Sequence, residues 1–137
     1  MRALGSRIGA VAQAGDILLL EGPFGAGKTT FVQGLAAGLE VQVPVSSPSF
    51  VIENQYRGRL VLFHVDLYRL ESIEPALLES LEEHLYADGV SAVEWAERLP
   101  RDAVEHPTRI SIELDDDGRR VHVESDQPRI LDALEPP

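Results

Sequence analysis

The chain has 137 residues, and 23 Asp and Glu against 12 Lys and Arg leave a formal net charge of −11 at pH 7. That balance argues against gripping a nucleic-acid backbone, where basic side chains must replace counterions, so any RNA would be held by another molecule. The length suits one domain with its own core and leaves little for a separate substrate lobe; the absence of cysteine excludes disulfides, thiolate chemistry and cysteine-bound zinc.

Leu4, Ile8 and Val11 stand at helical spacing and predict a short amphipathic helix ahead of Gly15. Gln13 and Asp16 interrupt the apolar residues before a signal sequence forms, and no run approaches membrane length, so the expected compartment is the cytoplasm, with no membrane partner. Gly15-Asp16 turns into Ile17-Leu18-Leu19-Leu20, a buried strand.

Gly22-Pro23-Phe24-Gly25-Ala26-Gly27-Lys28-Thr29-Thr30 then meets G-x-x-x-x-G-K-[ST] at every fixed position. Gly22, Gly25 and Gly27 permit backbone angles closed to other residues, so successive N–H groups can turn inward around phosphate oxygens. Lys28 is expected to reach the β- and γ-phosphates and Thr29 to place its hydroxyl on Mg2+. Phe31, Leu35 and Leu39 mark the core face of the helix that follows, whose N-terminal dipole faces the phosphates, and Gly38 and Pro44 end it. Strand, glycine loop and helix occur in the required order, which identifies an α/β nucleotide-binding unit.

Ser46-Ser47-Pro48-Ser49-Phe50 is a turn cluster whose hydroxyls fit a switch sensing the γ-phosphate, and equally an ordinary turn. Val51 to Tyr56 and the nearly continuous apolar run Leu60 to Asp66 predict two strands joined at Arg57-Gly58-Arg59. His64, inside that run, reads as structural, and Tyr68 and Arg69 read as either packing or a partner-facing pair. Leu77, Leu78, Leu81 and Leu85, with Pro75 in the first turn, predict a helix over 74–86 with its acidic residues on a solvated face. Val90 to Glu94 is a further short strand, followed by Trp95. Ile110, Ile112 and Leu114, the turn 115–118, and Val121 and Val123 predict a hairpin. A domain over 1–125 and a polar tail over 126–137, with room for one helical turn and otherwise frayed, follow, with no repeat or linker.

Asp66 and Glu94 each end an apolar strand. In a sheet parallel to the loop strand both carboxylates emerge beside the phosphates, where they can share Mg2+ and water positioning; a turn-capping role explains each of them as well. Trp95 is a core residue or a nucleotide or partner contact. The four histidines, at 64, 84, 106 and 122, form no close ligand pair.

Four ordered motifs together carry a family resemblance: the loop with Phe31-Val32, Ser47-Pro48-Ser49-Phe50, Asp66-Leu67-Tyr68-Arg69-Leu70, and Glu94-Trp95-Ala96-Glu97-Arg98-Leu99-Pro100. From about Leu4 to Val123 the chain resembles the TsaE (YjeE) family. The resemblance implies a compact P-loop NTPase-like domain with a mixed parallel and antiparallel sheet flanked by helices. It implies ATP binding and slow hydrolysis within a complex with TsaD and TsaB that makes tRNA threonylcarbamoyladenosine, with tRNA met only through the complex. By the same resemblance Gly22, Gly25, Ala26, Gly27, Lys28, Thr29 and Thr30 hold ATP with Trp95 nearby. Thr29, Asp66 and Glu94 hold Mg2+; Lys28, Asp66 and Glu94 support hydrolysis; and Ser47, Ser49 and Phe50 form a switch. Ser49 replaces the family's Thr and Ala96 its Pro; the family generally carries a strand and a Thr-containing segment ahead of the residues seen here as Leu4-Gly5, and by the resemblance these bear on the adenine side of the site. Two rivals stand beside this reading: a small kinase, for which the chain lacks an arginine-bearing lid, and a non-hydrolysing nucleotide switch.

Overall fold

A six-stranded sheet in the order β2-β3-β4-β1-β5-β6 forms the centre of the computed structural model, which describes residues 1–46, 53–68, 70, 74–85 and 88–135. In chain order the elements are α1 (Arg2–Val11), β1 (Ile17–Glu21), α2 (Lys28–Gly38), β2 (Glu53–Arg57), β3 (Val61–Asp66), α3 (Pro75–Leu85), β4 (Gly89–Glu94), β5 (Thr108–Asp115), β6 (Gly118–Glu124) and α4 (Pro128–Ala133). The inner strands β3, β4, β1 and β5 run parallel, and β2 and β6 pair antiparallel at the two edges. This is the expected mixed α/β architecture.

Alternation along β1 divides the core. Leu18 and Leu20 face α1, α2 and α4, with Ile8, Phe31, Leu35 and Ile130; Ile17 and Leu19 face α3 and the 94–104 segment, with Leu81, Ala96 and Leu99. Both faces of the inner strands are therefore covered, as near-continuous apolar runs require. Helices α1 and α2 meet through glycines: a Cβ on Gly5 or Gly9 would overlap the Phe31 or Leu35 carbonyl oxygen, and one on Gly34 or Gly38 that of Arg2 or Ser6. Only a surface without Cβ atoms lets the two backbones approach this closely.

The tail differs from the sequence expectation. Residues Pro128–Ala133 form a helix, Ile130 is fully buried, and Arg129 donates to both Asp16 carboxylate oxygens at 2.5 and 2.7 Å. Asp16 is itself nearly buried, so the pair ties the tail to the turn before β1. Two short polar stretches flank one apolar anchor, a signal too brief for periodicity to register.

Candidate functional site

The parallel strands bring their carboxyl ends to one edge, and there the glycine-rich loop 22–27 leaves β1. Leu20 lies opposite Glu94 across the β1–β4 ladder, and Asp66 lies opposite Glu94 across β3–β4. The Leu67 N–H donates to the Glu94 carbonyl at 3.1 Å, which fixes the two strand ends together. Sequence placement of both carboxylates beside the loop is therefore realised.

Gly27 takes φ of 108° where the loop enters α2, and the Phe31 N–H closes the first helical turn on its carbonyl at 2.9 Å. Gly22 sits so close to β5 that a Cβ there would be 2.6 Å from the Ile112 carbonyl oxygen. Ala26 is buried against the core, while Thr30 is exposed in the first turn of α2. Lys28 is buried, with its ammonium folded back to donate to the Gly22 carbonyl and, at 3.2 Å, to that of Pro23. It also lies 3.8 Å above the centre of the Trp95 ring. Burial holds the Lys28 pKa below the ordinary lysine value, against the upward pull of Glu97, Glu94 and Asp66.

Glu94 is 3% exposed and is the hub of the site. Thr29 Oγ1 donates to it at 3.0 Å from Oε1 and 3.2 Å from Oε2, joining the loop helix to the end of β4. His64 Nε2 contacts Oε2 from the sheet side. Asp66 Oδ1 accepts the Tyr68 N–H at 2.9 Å, a turn cap, and Asp66 lies opposite Glu94 across the β3–β4 ladder. Burial lifts its pKa above the usual carboxylate range, opposed by the Tyr68 N–H, reinforced by Glu94, and opposed again by His64 and Lys28.

Trp95 follows Glu94 in the left-handed region, with φ of 59°, a conformation that costs a non-glycine residue about 1 kcal/mol or more. The turn redirects the chain into one 3-10 turn, Ala96–Arg98, and leaves the indole over Lys28. Phe24 of the loop, Tyr68 and Trp95 form one aromatic group, with ring centres 4.5, 5.8 and 5.2 Å apart. Trp95 is thus neither simple core nor isolated surface.

Three side chains of the site carry no sequence signal of their own. His64 touches Glu94 from inside β3. Glu97 accepts the Gly22 N–H at 3.3 Å. Arg119 of β6 donates to the Ala26 and Gly25 carbonyls at 2.7 and 3.2 Å, bracing the loop from outside. The switch residues Ser47, Ser49 and Phe50 lie outside the described residues, as does Arg69.

Thr29, Asp66 and Glu94 supply the hard oxygen donors that magnesium selects. Among the described residues no three His, Cys, Asp or Glu side chains form a metal cluster. The donor set fits an ion that keeps several waters and shares phosphate oxygens, and does not fit one caged by protein.

A family model described as threonylcarbamoyl adenosine biosynthesis protein TsaE matches residues 1–122. The tRNA threonylcarbamoyladenosine biosynthesis protein TsaE of Treponema pallidum is 40% identical over 116 residues, covering 85% of this chain and 86% of the relative. Its counterpart in Nostoc sp. PCC 7120 is 46% identical over 104 residues, 71% of this chain and 62% of the relative; that of Bacillus subtilis is 42% identical over 109 residues, 76% and 68%. The chain therefore spans less than two thirds of the Nostoc protein and most of the Treponema one. Among solved structures, YdiB of Bacillus subtilis superposes with a TM-score of 0.70 at 34% identity, covering 96% of this chain and 82% of its own. A match of this extent, on a sheet and loop of this geometry, means that the chain belongs to the TsaE family of tRNA threonylcarbamoyladenosine biosynthesis proteins.

Proposed function

We propose that this chain binds ATP with Mg2+ and hydrolyses it slowly, as an accessory subunit of the cytoplasmic machinery that makes threonylcarbamoyladenosine in tRNA. Its partners in this reading are TsaD and TsaB, and tRNA is met only through them. The observation that carries the reading is the Thr29–Glu94 hydrogen bond, which joins the phosphate-loop helix to a buried carboxylate at the end of a parallel strand. The relatives' names support the pathway, and the formal charge of −11 supports a subunit that leaves the tRNA backbone to others.

The roles follow from position. Backbone N–H groups from Gly22 to Thr30 and the start of α2 bind the phosphates. Lys28 exchanges the Gly22 and Pro23 carbonyls for phosphate oxygens, a favourable trade because its charge is short of solvent where it lies. Mg2+, when bound, would neutralise charge at the phosphates, and Thr29, Asp66 and Glu94 would hold it. Glu94 orients the attacking water and accepts its proton. Among the described residues no helix is long and apolar enough to cross a membrane.

Trp95, the single tryptophan, reports binding directly because it touches Lys28. Lys28→Ala is expected to abolish the fluorescence response to Mg–ATP. Glu94→Gln is expected to keep that response and to lose about 100-fold or more in hydrolysis. Undiminished hydrolysis by Glu94→Gln would contradict the assignment, and full binding by Lys28→Ala would contradict the loop's role.

A further inference from the structure

His64 is fully buried in β3, between Phe63 and Val65 and opposite Ala92 of β4. Its Nε2 meets Glu94 Oε2, and its Nδ1 is buried with no hydrogen-bond partner among the described residues. An imidazole in that slot is poorly served as packing: Leu or Phe would fill the space without stranding a polar nitrogen. The arrangement also assigns the donor: a carboxylate oxygen accepts, so Nε2 carries a hydrogen and donates it to Oε2.

Glu94 is held from two sides. The Thr29 hydroxyl grips it from the loop, and in the proposed function that same hydroxyl is the one that would meet Mg2+. The His64 bond comes from the sheet and does not depend on the loop. We propose that His64 is a positioning residue for the Glu94 carboxylate, fixing Oε2 so that the other oxygen faces the reacting edge once Thr29 is engaged elsewhere. The proposal rests on the reading of Glu94 as the water-positioning group. It is an outer-contact role of the kind whose loss typically costs about 10–100-fold in activity.

Two measurements test it. In a long-range 1H–15N spectrum of the histidine rings of the nucleotide-free chain, His64 is expected with a hydrogen on Nε2 and with its resonances displaced by Glu94→Gln; a ring bare at Nε2 overturns the proposal. The second separates chemistry from binding. His64→Leu and His64→Asn both remove the donor at the Nε2 position, and His64→Gln restores it. In whichever of the Leu and Asn variants melts as a folded protein, Trp95 fluorescence should give an unchanged Mg–ATP affinity, while the hydrolysis rate at saturating Mg–ATP falls about 10–100-fold. His64→Gln should recover to within a few-fold of the parent, and combining His64→Leu with Glu94→Gln should add nothing to Glu94→Gln alone. A parental rate in a donor-less variant, with Glu94→Gln impaired, overturns the proposal and leaves Glu94 in place; a parental rate in Glu94→Gln removes both.

Discussion

Asp66 and Lys28 sit where the fold would gain from neutral side chains. Burial lifts the Asp66 carboxyl, so the folded chain holds that proton to higher pH than the unfolded chain does. Between the ordinary carboxylate value and the raised one, Asp66 therefore lowers stability as pH rises. Asparagine has no proton to lose across that window. The melting temperature of Asp66→Asn, measured relative to the parent from about pH 4 to about pH 7, is expected to climb with pH, and a flat or falling difference would contradict the burial argument. For Lys28 the sign is opposite, since a lowered lysine pKa leaves the unfolded chain binding more protons, so stability rises with pH toward the ordinary lysine value. The loop, Asp66 and Glu94 were legible in the sequence because each is a local pattern, glycines at fixed spacing or a carboxylate ending an apolar run. His64, Glu97 and Arg119 were not, since their partners lie 30, 75 and 93 residues away and nothing local marks them.

Helix and strand periods anticipated nearly every element, because an apolar residue every second or every third to fourth position states which face is buried. How two elements meet is a different matter. Gly34 and Gly38 of α2 face Gly5 and Gly9 of α1, and periodicity that counts apolar side chains passes over residues without any. Gly38 had been read simply as a helix stop. The two effects of filling such a position oppose each other, which makes a test decisive. Gly34→Ala would favour an isolated helix by about 1 kcal/mol, but here the new methyl meets the Arg2 carbonyl, and overpacking of that kind costs about 2–3 kcal/mol. Urea unfolding is expected to show net destabilisation of about 1–2 kcal/mol; a more stable variant would mean that α1 moves aside. The tail's hold on the domain rests on contacts far apart in sequence: Ile130 and Leu134 pack on the core, and Arg129 pairs with Asp16, 113 residues away.

Taken whole, the molecule is an acidic α/β domain with a small cationic centre, Lys28, set among Glu94, Glu97 and Asp66. Such a domain can hold a nucleotide through backbone N–H groups and a metal, but it offers little to a tRNA backbone. The family match agrees with the mixed sheet and with the four sequence motifs, and the Nostoc relative is longer than the part that this chain matches. The most direct test is threonylcarbamoylation of tRNA by purified TsaB and TsaD over many turnovers, with this chain added intact or as Glu94→Gln. Only the intact chain is expected to sustain repeated turnover, with ATP loss tracking product. Equal turnover with Glu94→Gln, or turnover indifferent to the chain altogether, would contradict it.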